Sequence, residues 1–570
     1  MRFRGSRHRC FRSLVVAIVA ASAALFAYDA FARRPNVILV NTDDQGYGDL
    51  SCHGNPYLKT PAIDRLYEES IRLTDFHVDP TCSPTRSALM TGRYSSRVGV
   101  WHTIMGRSIL REDEVTMGDV FSAAGYRTAI FGKWHLGDNF PYRPTDRGFE
   151  EALINGGGGI TQGPDYWGNT YFSPTLLHNN EWEPSEGYCT DVFFSAAIRF
   201  IEEHQDEPFF IYLPPNAAHG PYQVDEKYKK PFLEMGLKDP TASFFGMIVN
   251  IDENMAKLTA KLDELGLAED TILVFMTDNG TAAGNYNAGM RGRKGSQYDG
   301  GHRVPCFLRW KGHWEGGRDI DRLTAHLDLL PTFIDVCDLP KPAGVKFDGK
   351  SLRPLIEEEN PEWPDRTIIV SVNRMDHPEP WVRTSTMTEK YRLIDGKELY
   401  DIDADPGQQH DIAAEHPDIV AKLRKDYEAW YADVSRRYDE YVPIYVGSPA
   451  QNPTVLCSHD WHGPNVPWAQ SQMVRRMVAN GFWVIKVDRP GKYRITLRDR
   501  PPYVDEPLLG TKARLQVGDF EAEQPIPENA AGVTFETELP AGETRLQTWI
   551  TQADGKTRGC YFVVVEYLGE

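Results

Sequence analysis

The sequence predicts an α/β protein with a large mixed, mostly parallel sheet flanked by helices, then a small α+β subdomain and a terminal β-sandwich. Three observations predict it. The run Asn36-Val37-Ile38-Leu39-Val40 is continuously apolar, as a strand covered on both faces requires. Helix-like and strand-like segments alternate from there to about residue 345, the pattern of a sheet with helices on both faces. Beyond residue 479 the period shortens to strict apolar–polar alternation broken by turn residues, as in antiparallel strands.

In chain order, the first strand runs into Asn41-Thr42-Asp43-Asp44, and a helix follows near residues 62–69. A strand is expected at 128–131, a helix at 192–203, a strand at 209–213, a helix at 245–265 and a strand at 271–276. The α/β structure therefore fills residues 33–345. A Pro-rich stretch near 339–345 opens a second unit, 346–446, with short strands at 367–372, 381–384 and 391–394. In its helix Val420, Leu423, Tyr427, Trp430 and Val434 recur at helical spacing. Gly, Pro and Asn mark 447–478 as a linker. Trp483, Ile485 and Val487, then Tyr493, Ile495 and Leu497 across a Pro490-Gly491 turn, start the sandwich at 479–570.

The amino terminus reads as a targeting segment. Arg2, Arg4, Arg7, Arg9 and Arg12 precede an apolar run from Leu14 to Phe26, and Ala30-Phe31-Ala32 supplies a cleavage site. The run is shorter than the roughly 20 residues a spanning helix needs, which favours a signal peptide, residues 1–32, over a membrane anchor. The expectation is an exported protein, periplasmic or secreted, with no stable membrane insertion after cleavage. Of eight cysteines, Cys10 leaves with that segment. The odd remainder leaves at least one cysteine unpaired or modified. A net charge of −19, spread along the chain, argues against nucleic acid as a partner. An anionic substrate would need a local positive site.

Two predicted strand ends carry acidic pairs, Asp43-Asp44 and Asp278-Asn279. In open α/β sheets ligands bind beyond the carboxyl ends of strands, so the pairs can converge. Three carboxylates and an amide oxygen form a hard donor set suited to Ca²⁺ or Mg²⁺ rather than zinc. Either pair alone reads more readily as a turn former after a strand than as a ligand pair. Asn279-Gly280-Thr281 also matches a glycan acceptor, which would compete with the ligand role.

The segment Cys82-Ser83-Pro84-Thr85-Arg86, continuing to Met90-Thr91-Gly92, places a cysteine in a polar loop ahead of an apolar helical start. It resembles the signature of the type I, formylglycine-dependent sulfatases, arylsulfatase-like members of the alkaline-phosphatase-like superfamily. Asp43 to Asp49, Gly132-Lys133-Trp134-His135, His219-Gly220-Pro221, Gly292-Arg293-Lys294-Gly295 and Asp299 to Pro305 resemble further blocks of that family in the same order. Asp299 stands where the family more often has Glu. Coverage runs from about Arg34 to Val434, leaving the terminal β-unit outside.

The resemblance implies a sulfuric ester hydrolase acting on an aryl or carbohydrate sulfate. Cys82 would be converted by a formylglycine-generating maturation enzyme to 3-oxoalanine, whose gem-diol is the nucleophile. One Ca²⁺ per chain would be held by Asp43, Asp44, Cys82, Asp278 and Asn279. Arg86 would hold the hydrated aldehyde and the carboxylates, Lys133 would contact sulfate, and Lys294 would bridge sulfate and leaving group. His219 would serve as acid and His135 as base, roles that suit imidazole near neutral pH. Arg143 and Asp146-Arg147-Gly148 are further candidates for substrate contact, and Trp101, His102, Trp167, Asn216 and Tyr222 are candidates for lining the pocket. The glycine run 156–159 reads as a mobile loop without a phosphate-cradling context. Two other readings stay open: a phosphomonoester or phosphonate ester hydrolase of the same superfamily, and a non-catalytic protein that binds sulfated glycans.

Overall fold

The computed structural model describes residues 34–569, so the expected signal peptide lies outside the described residues. Among them, a ten-stranded sheet forms the frame. Its strands are β1 (Asn36–Thr42), β2 (Ile71–Leu73), β3 (Arg127–Lys133), β4 (Glu151–Asn155), β5 (Thr175–His178), β6 (Glu181–Pro184), β7 (Phe209–Leu213), β8 (Thr271–Thr277), β9 (Cys306–Trp310) and β10 (Arg318–Ile320). The spatial order is β10-β2-β9-β8-β1-β7-β3-β4-β5-β6. The five central strands, β8 to β4, are parallel, and antiparallel pairs join them to both edges.

Every residue of β1 is buried, and its side chains alternate between two cores. Ile38 and Val40 pack with the helices α4 (Cys189–Glu203) and α5 (Asp239–Glu264) on one face. Val37 and Leu39 pack on the other with α3 (Met117–Ala123) and α6 (Leu329–Val336). That double coverage explains why the strand lacks polar alternation. The long helix starts at Asp239 rather than near 245, because Pro240 occupies its first turn, where no backbone donor is required.

A four-stranded antiparallel meander follows: Ile368–Ser371, Thr384–Met387, Tyr391–Ile394 and Glu398–Asp401, with the helix Pro417–Val434 beside it. The strand expected at 381–384 begins at Thr384 instead. Trp381 and Arg383 have φ of 62° and 49°, outside the extended region, and Trp381 stacks on Tyr427 at 3.7 Å between ring centroids.

The carboxy-terminal region is β-rich. One sheet joins Ile444–Val446, Phe482–Val487, Gly542–Thr551, Lys512–Val517 and Phe520–Pro525, and a second joins Thr454–Cys457, Phe562–Gly569, Gly491–Arg498 and Gly532–Leu539. They share one core around Trp461, Trp483, Ile495 and Val563. The stretch 447–478, expected as a linker, contributes the strand Thr454–Cys457 and a short helix, Gln470–Val474. Its polar composition reflects hydrogen bonding to the first unit. No helix of the described residues is long and apolar enough to cross a membrane.

Candidate active site

Four adjacent parallel strands deliver the candidate residues to one rim of the sheet. Thr42 and Thr277 are register partners at the ends of β1 and β8, which sets Asp43-Asp44 beside Asp278-Asn279. Lys133 ends β3, with His135 just beyond it, and the loop after β7 carries Asn216 and His219. Gly132 makes this possible: its φ is 137°, and a Cβ there would lie 1.9 Å from the Pro214 carbonyl oxygen.

Cys82 does not sit in a loop. It opens the buried helix α2 (Cys82–Thr91), which follows an extended Thr81 and ends at Gly92 with φ 64°. Pro84 is accommodated in the first turn, where backbone N–H groups have no intrahelical acceptor. The helix points its amino-terminal end, the positive pole of its dipole, at the acidic strand ends.

There Cys82, Asp43, Asp44 and Asp278 each offer a ligand atom within 4.8 Å of the others, all buried. Cys82 Sγ is 3.6 Å from Asp43 Oδ1, and Lys294 Nζ is 3.4 Å from the sulfur. Lys133 Nζ donates to Asp43 Oδ2 at 2.5 Å, and Lys294 pairs with Asp44. Arg86 donates to Asp278 at 2.8 Å and to the Lys133 carbonyl at 2.9 Å, with Asp43 3.7 Å away. The acidic chain thus concentrates three cations at one place.

The charges shape each other. Burial and the neighbouring Asp43 push Asp278 up to about 6. Burial would raise Asp44 too, but Lys294, His219 and Lys133 outweigh it and hold that carboxyl well below the usual range. Burial lifts the Cys82 thiol to about 12 against the pull of Lys133 and Lys294, so an unmodified thiol would stay protonated near neutral pH. Burial also lowers His219, to about 3, and drives His135 well below its ordinary value.

A divalent cation fits this donor set. Asn279 Nδ2 donates to Asp44 at 3.0 Å, which leaves Asn279 Oδ1 buried without a partner. An unpaired amide oxygen beside three carboxylates is what a hard, oxygen-preferring ion would satisfy. Asn279 is sealed from solvent, so its glycan-acceptor motif cannot be reached in the fold.

The two histidines are held differently. His135 has φ 61°, and its Nε2 donates to the Thr103 carbonyl at 2.9 Å, leaving a buried, unpartnered lone pair on Nδ1. His219 Nε2 lies 3.9 Å from Asp44 Oδ2 and its Nδ1 is 2.6 Å from the Gly220 carbonyl.

The glycine run is buried against the two imidazoles. A Cβ on Gly158 would stand 2.3 Å from the His135 ring, and one on Gly159 would stand 3.0 Å from Asn216 Oδ1 and 3.3 Å from the His219 ring. Glycine is required because the loop backbone lies directly against both imidazoles. Arg143 and Arg147 are not brought to the site: Arg143 pairs with Asp146 at 2.8 Å, and Arg147 donates to the carbonyls of Glu112 and Glu114. Trp101 packs with Val434 and Tyr438, and Trp167 lies under Arg500.

Sequence reasoning also missed a second buried cluster, His77, Asp299 and His302. His77 and His302 meet at 2.9 Å between Nδ1 atoms, and Arg392 donates to Asp75 at 2.7 Å and to Asp299 at 3.2 Å. The chain supplies this cluster's positive charge itself, and Arg392 thereby ties the meander to the sheet. All seven cysteines among the described residues are free thiols.

Comparison with known proteins matches residues 35–339 to the family model described as Sulfatase, and residues 293–432 to that described as N-sulphoglucosamine sulphohydrolase, C-terminal. Arylsulfatase A of Homo sapiens is 33% identical over 380 residues, spanning 60% of this chain and 71% of that one. N-acetylgalactosamine-6-sulfatase of Homo sapiens is 29% identical over 354 residues, spanning 56% of this chain and 66% of that one. A solved structure of Ps i-CgsB in complex with k-i-k-neocarrahexaose superposes with a TM-score of 0.65 at 26% identity, covering 72% of this chain and 95% of that one. Both family matches end before residue 433, so the β-rich carboxy-terminal region lies beyond them.

Proposed function

The chain belongs to the sulfatase family, and from that premise we propose that it hydrolyses a sulfate monoester of a glycan or aryl alcohol, using a formylglycine made from Cys82. The observation that carries the reading is Cys82 itself, fixed at the start of α2 within reach of Asp43 and Lys294 and clustered with the carboxylates of Asp43, Asp44 and Asp278.

Asp43, Asp44, Asp278, Asn279 and the modified residue 82 would hold one Ca²⁺. An ion held there would supply Lewis-acid chemistry, favouring ionisation of a hydroxyl on residue 82. Residue 82 carries the hydrated aldehyde, and one of its hydroxyl oxygens attacks sulfur as the bond from sulfur to the alcohol oxygen breaks. His219, which burial keeps neutral, would take up a proton beside the anionic sulfate ester and give it to that departing oxygen. Arg86, Lys133 and Lys294 present preorganised positive charge to oxygens that stay anionic throughout, so stabilisation costs no reorganisation. His135 Nδ1, whose lone pair is free, takes the proton of the second hydroxyl. The bond from carbon to the sulfate oxygen then breaks, sulfate leaves, and the carbonyl reforms and is hydrated by water. A serine or thiol at position 82 has no second hydroxyl and would be left esterified.

The maturation enzyme that oxidises Cys82 would be a necessary partner, and it must act before α2 and the strand ends close around a buried side chain. An exported, periplasmic or secreted location fits such a hydrolase of external glycans. The test is sulfate release from a panel of sulfated sugars and 4-nitrophenyl sulfate by the wild type and by Cys82→Ala. Turnover in the wild type alone supports the reading; equal turnover in both overturns it.

A further inference from the structure

The region beyond the family match reaches the active site. Gln470 joins it to the loop that follows the glycine run: its backbone N–H donates to the Thr161 carbonyl at 3.0 Å, and its side-chain Nε2 donates to the carbonyls of Gln162 and Asp165 at 3.0 and 3.1 Å. Its Oε1 accepts from the Gly168 N–H at 2.9 Å, and the Gly163 N–H donates to the Trp468 carbonyl at 2.7 Å. A second attachment runs through His462, which meets Asp376 at 2.9 Å, and through the Met105 N–H, which donates to the His459 carbonyl at 2.9 Å. Residues 457–472 are thus held against the first unit through Thr161, Gln162, Asp165 and Met105, and against the second through Asp376.

That segment carries a third histidine. The His459 ring lies 6.0 Å from the His135 ring between centroids, at 52°. His459 Nδ1 is 3.0 Å from the Asp460 carboxylate and donates to it, so in the neutral ring Nε2 is the acceptor. This Nε2 is buried and has no partner, like His135 Nδ1 beside it. Two neighbouring imidazoles therefore each present an unsatisfied acceptor, and buried acceptors of this kind are rare unless a molecule outside the chain completes them. His135 has its donor in the proposed reaction. His459 has none in the chain. At 1% exposure it is as enclosed as accepted members of the site, His135 at 4% and Lys133 at 0%.

We propose that His459 is a specificity-determining residue whose Nε2 accepts a hydrogen bond from a substrate hydroxyl next to the scissile sulfate. The substrate is then a sulfated carbohydrate in preference to an aryl sulfate, because the sugar carries hydroxyl donors near its sulfate and the phenyl ring carries none. Asp460 fixes the tautomer and orients the ring. This inference rests on the sulfatase reading above and refines its substrate class.

The experiment compares kcat/KM for galactose 4-sulfate, galactose 6-sulfate and N-acetylgalactosamine 6-sulfate with that for 4-nitrophenyl sulfate, in wild type, His459→Ala and His459→Gln. The sugar-to-aryl ratio is expected to fall about tenfold in His459→Ala and to recover partly in His459→Gln, whose amide still presents an acceptor. Near-ultraviolet circular dichroism of each variant checks that the fold is retained. An unchanged ratio in two folded variants, or a wild type that turns over aryl sulfate and none of the sugars, overturns the proposal and leaves the sulfatase reading standing. A matured wild type that releases sulfate from no probe overturns both.

Discussion

Arg86 donates to Asp278 at 2.8 Å with both side chains fully sealed from solvent, so the cysteine helix and a strand end almost two hundred positions later are joined by a buried ion pair. Burial opposes the guanidinium charge, but Tyr212, Asp278 and Asp43 outweigh it and hold its pKa above the ordinary value. Removing one partner of such a pair leaves the other charged and unsatisfied, at a cost of about 3–5 kcal/mol. Arg86→Ala is therefore expected to lower the urea midpoint strongly in the presence of chelator. A midpoint equal to that of the wild type would show that the pair carries no structural weight.

The unpartnered Asn279 Oδ1 leads to a second expectation. Chelation should abolish sulfate release and lower the melting temperature, and added Ca²⁺ should restore both. A ligand at a hundred times its dissociation constant stabilises by about 2.7 kcal/mol. Asn279→Ala should raise the Ca²⁺ concentration needed for half-restoration, read by calorimetric titration of the chelated protein. Wild-type affinity in that variant would remove Asn279 from the donor set.

His102 gives a pH dependence with a defined sign. Its Nδ1 accepts the backbone N–H groups of Thr103 at 2.7 Å and Ile104 at 3.3 Å, and burial, with Arg374 and His459 nearby, pushes its pKa down to about 3. The folded state keeps it neutral, whereas the unfolded chain takes up a proton below 6.5. Its contribution to stability is thus complete above that value and is lost as the pH falls toward 3, by about 1.4 kcal/mol per pH unit. His102→Asn removes the titration but keeps a side-chain acceptor. Between pH 6 and pH 4, on the order of two units, its unfolding free energy should fall less steeply than that of the wild type. Parallel curves would contradict the assignment.

Gln470 acts on the chemistry only through the loop it holds. Gln470→Ala removes the side-chain bonds to the carbonyls of Gln162, Asp165 and Tyr166 and to the Gly168 N–H. The two hydrogens on Nε2 are shared among the three carbonyls, so at a net value near 1 kcal/mol per hydrogen bond stability should fall by about 2–3 kcal/mol. The loosened glycine loop should lower kcat more than it raises KM, because it positions imidazoles rather than substrate. Steady-state kinetics on the best sugar probe checks this; a change in KM alone would place Gln470 in substrate binding.

The parts of this site that lie within short segments were legible in the sequence. Cys82, Pro84 and Arg86 share one helical turn, and Asp43-Asp44 and Asp278-Asn279 follow apolar runs that could only be buried strands. Local chemistry decides those positions. What escaped was decided by distant partners. The glycines at 158 and 159 are specified by the rings of His135 and His219, which no local pattern reveals. The stretch 447–478 has the composition of a linker because its polar groups bond to loops some 300 residues earlier. Trp381 escaped a strand assignment in the fold because Tyr427, on a later helix, holds it by stacking. Cys82 reads as loop because the residues around it are polar, yet the helix begins at Cys82 itself and its first turn tolerates Pro84.

The account turns on the chemical state of residue 82, and peptide mass spectrometry of the protein purified from its maturing host measures that state directly. With the specific activity of the same sample, the account predicts that the peptide spanning residues 82–86 carries an aldehyde in place of the thiol, in proportion to sulfate release. Full activity in a sample whose Cys82 is entirely thiol would contradict it.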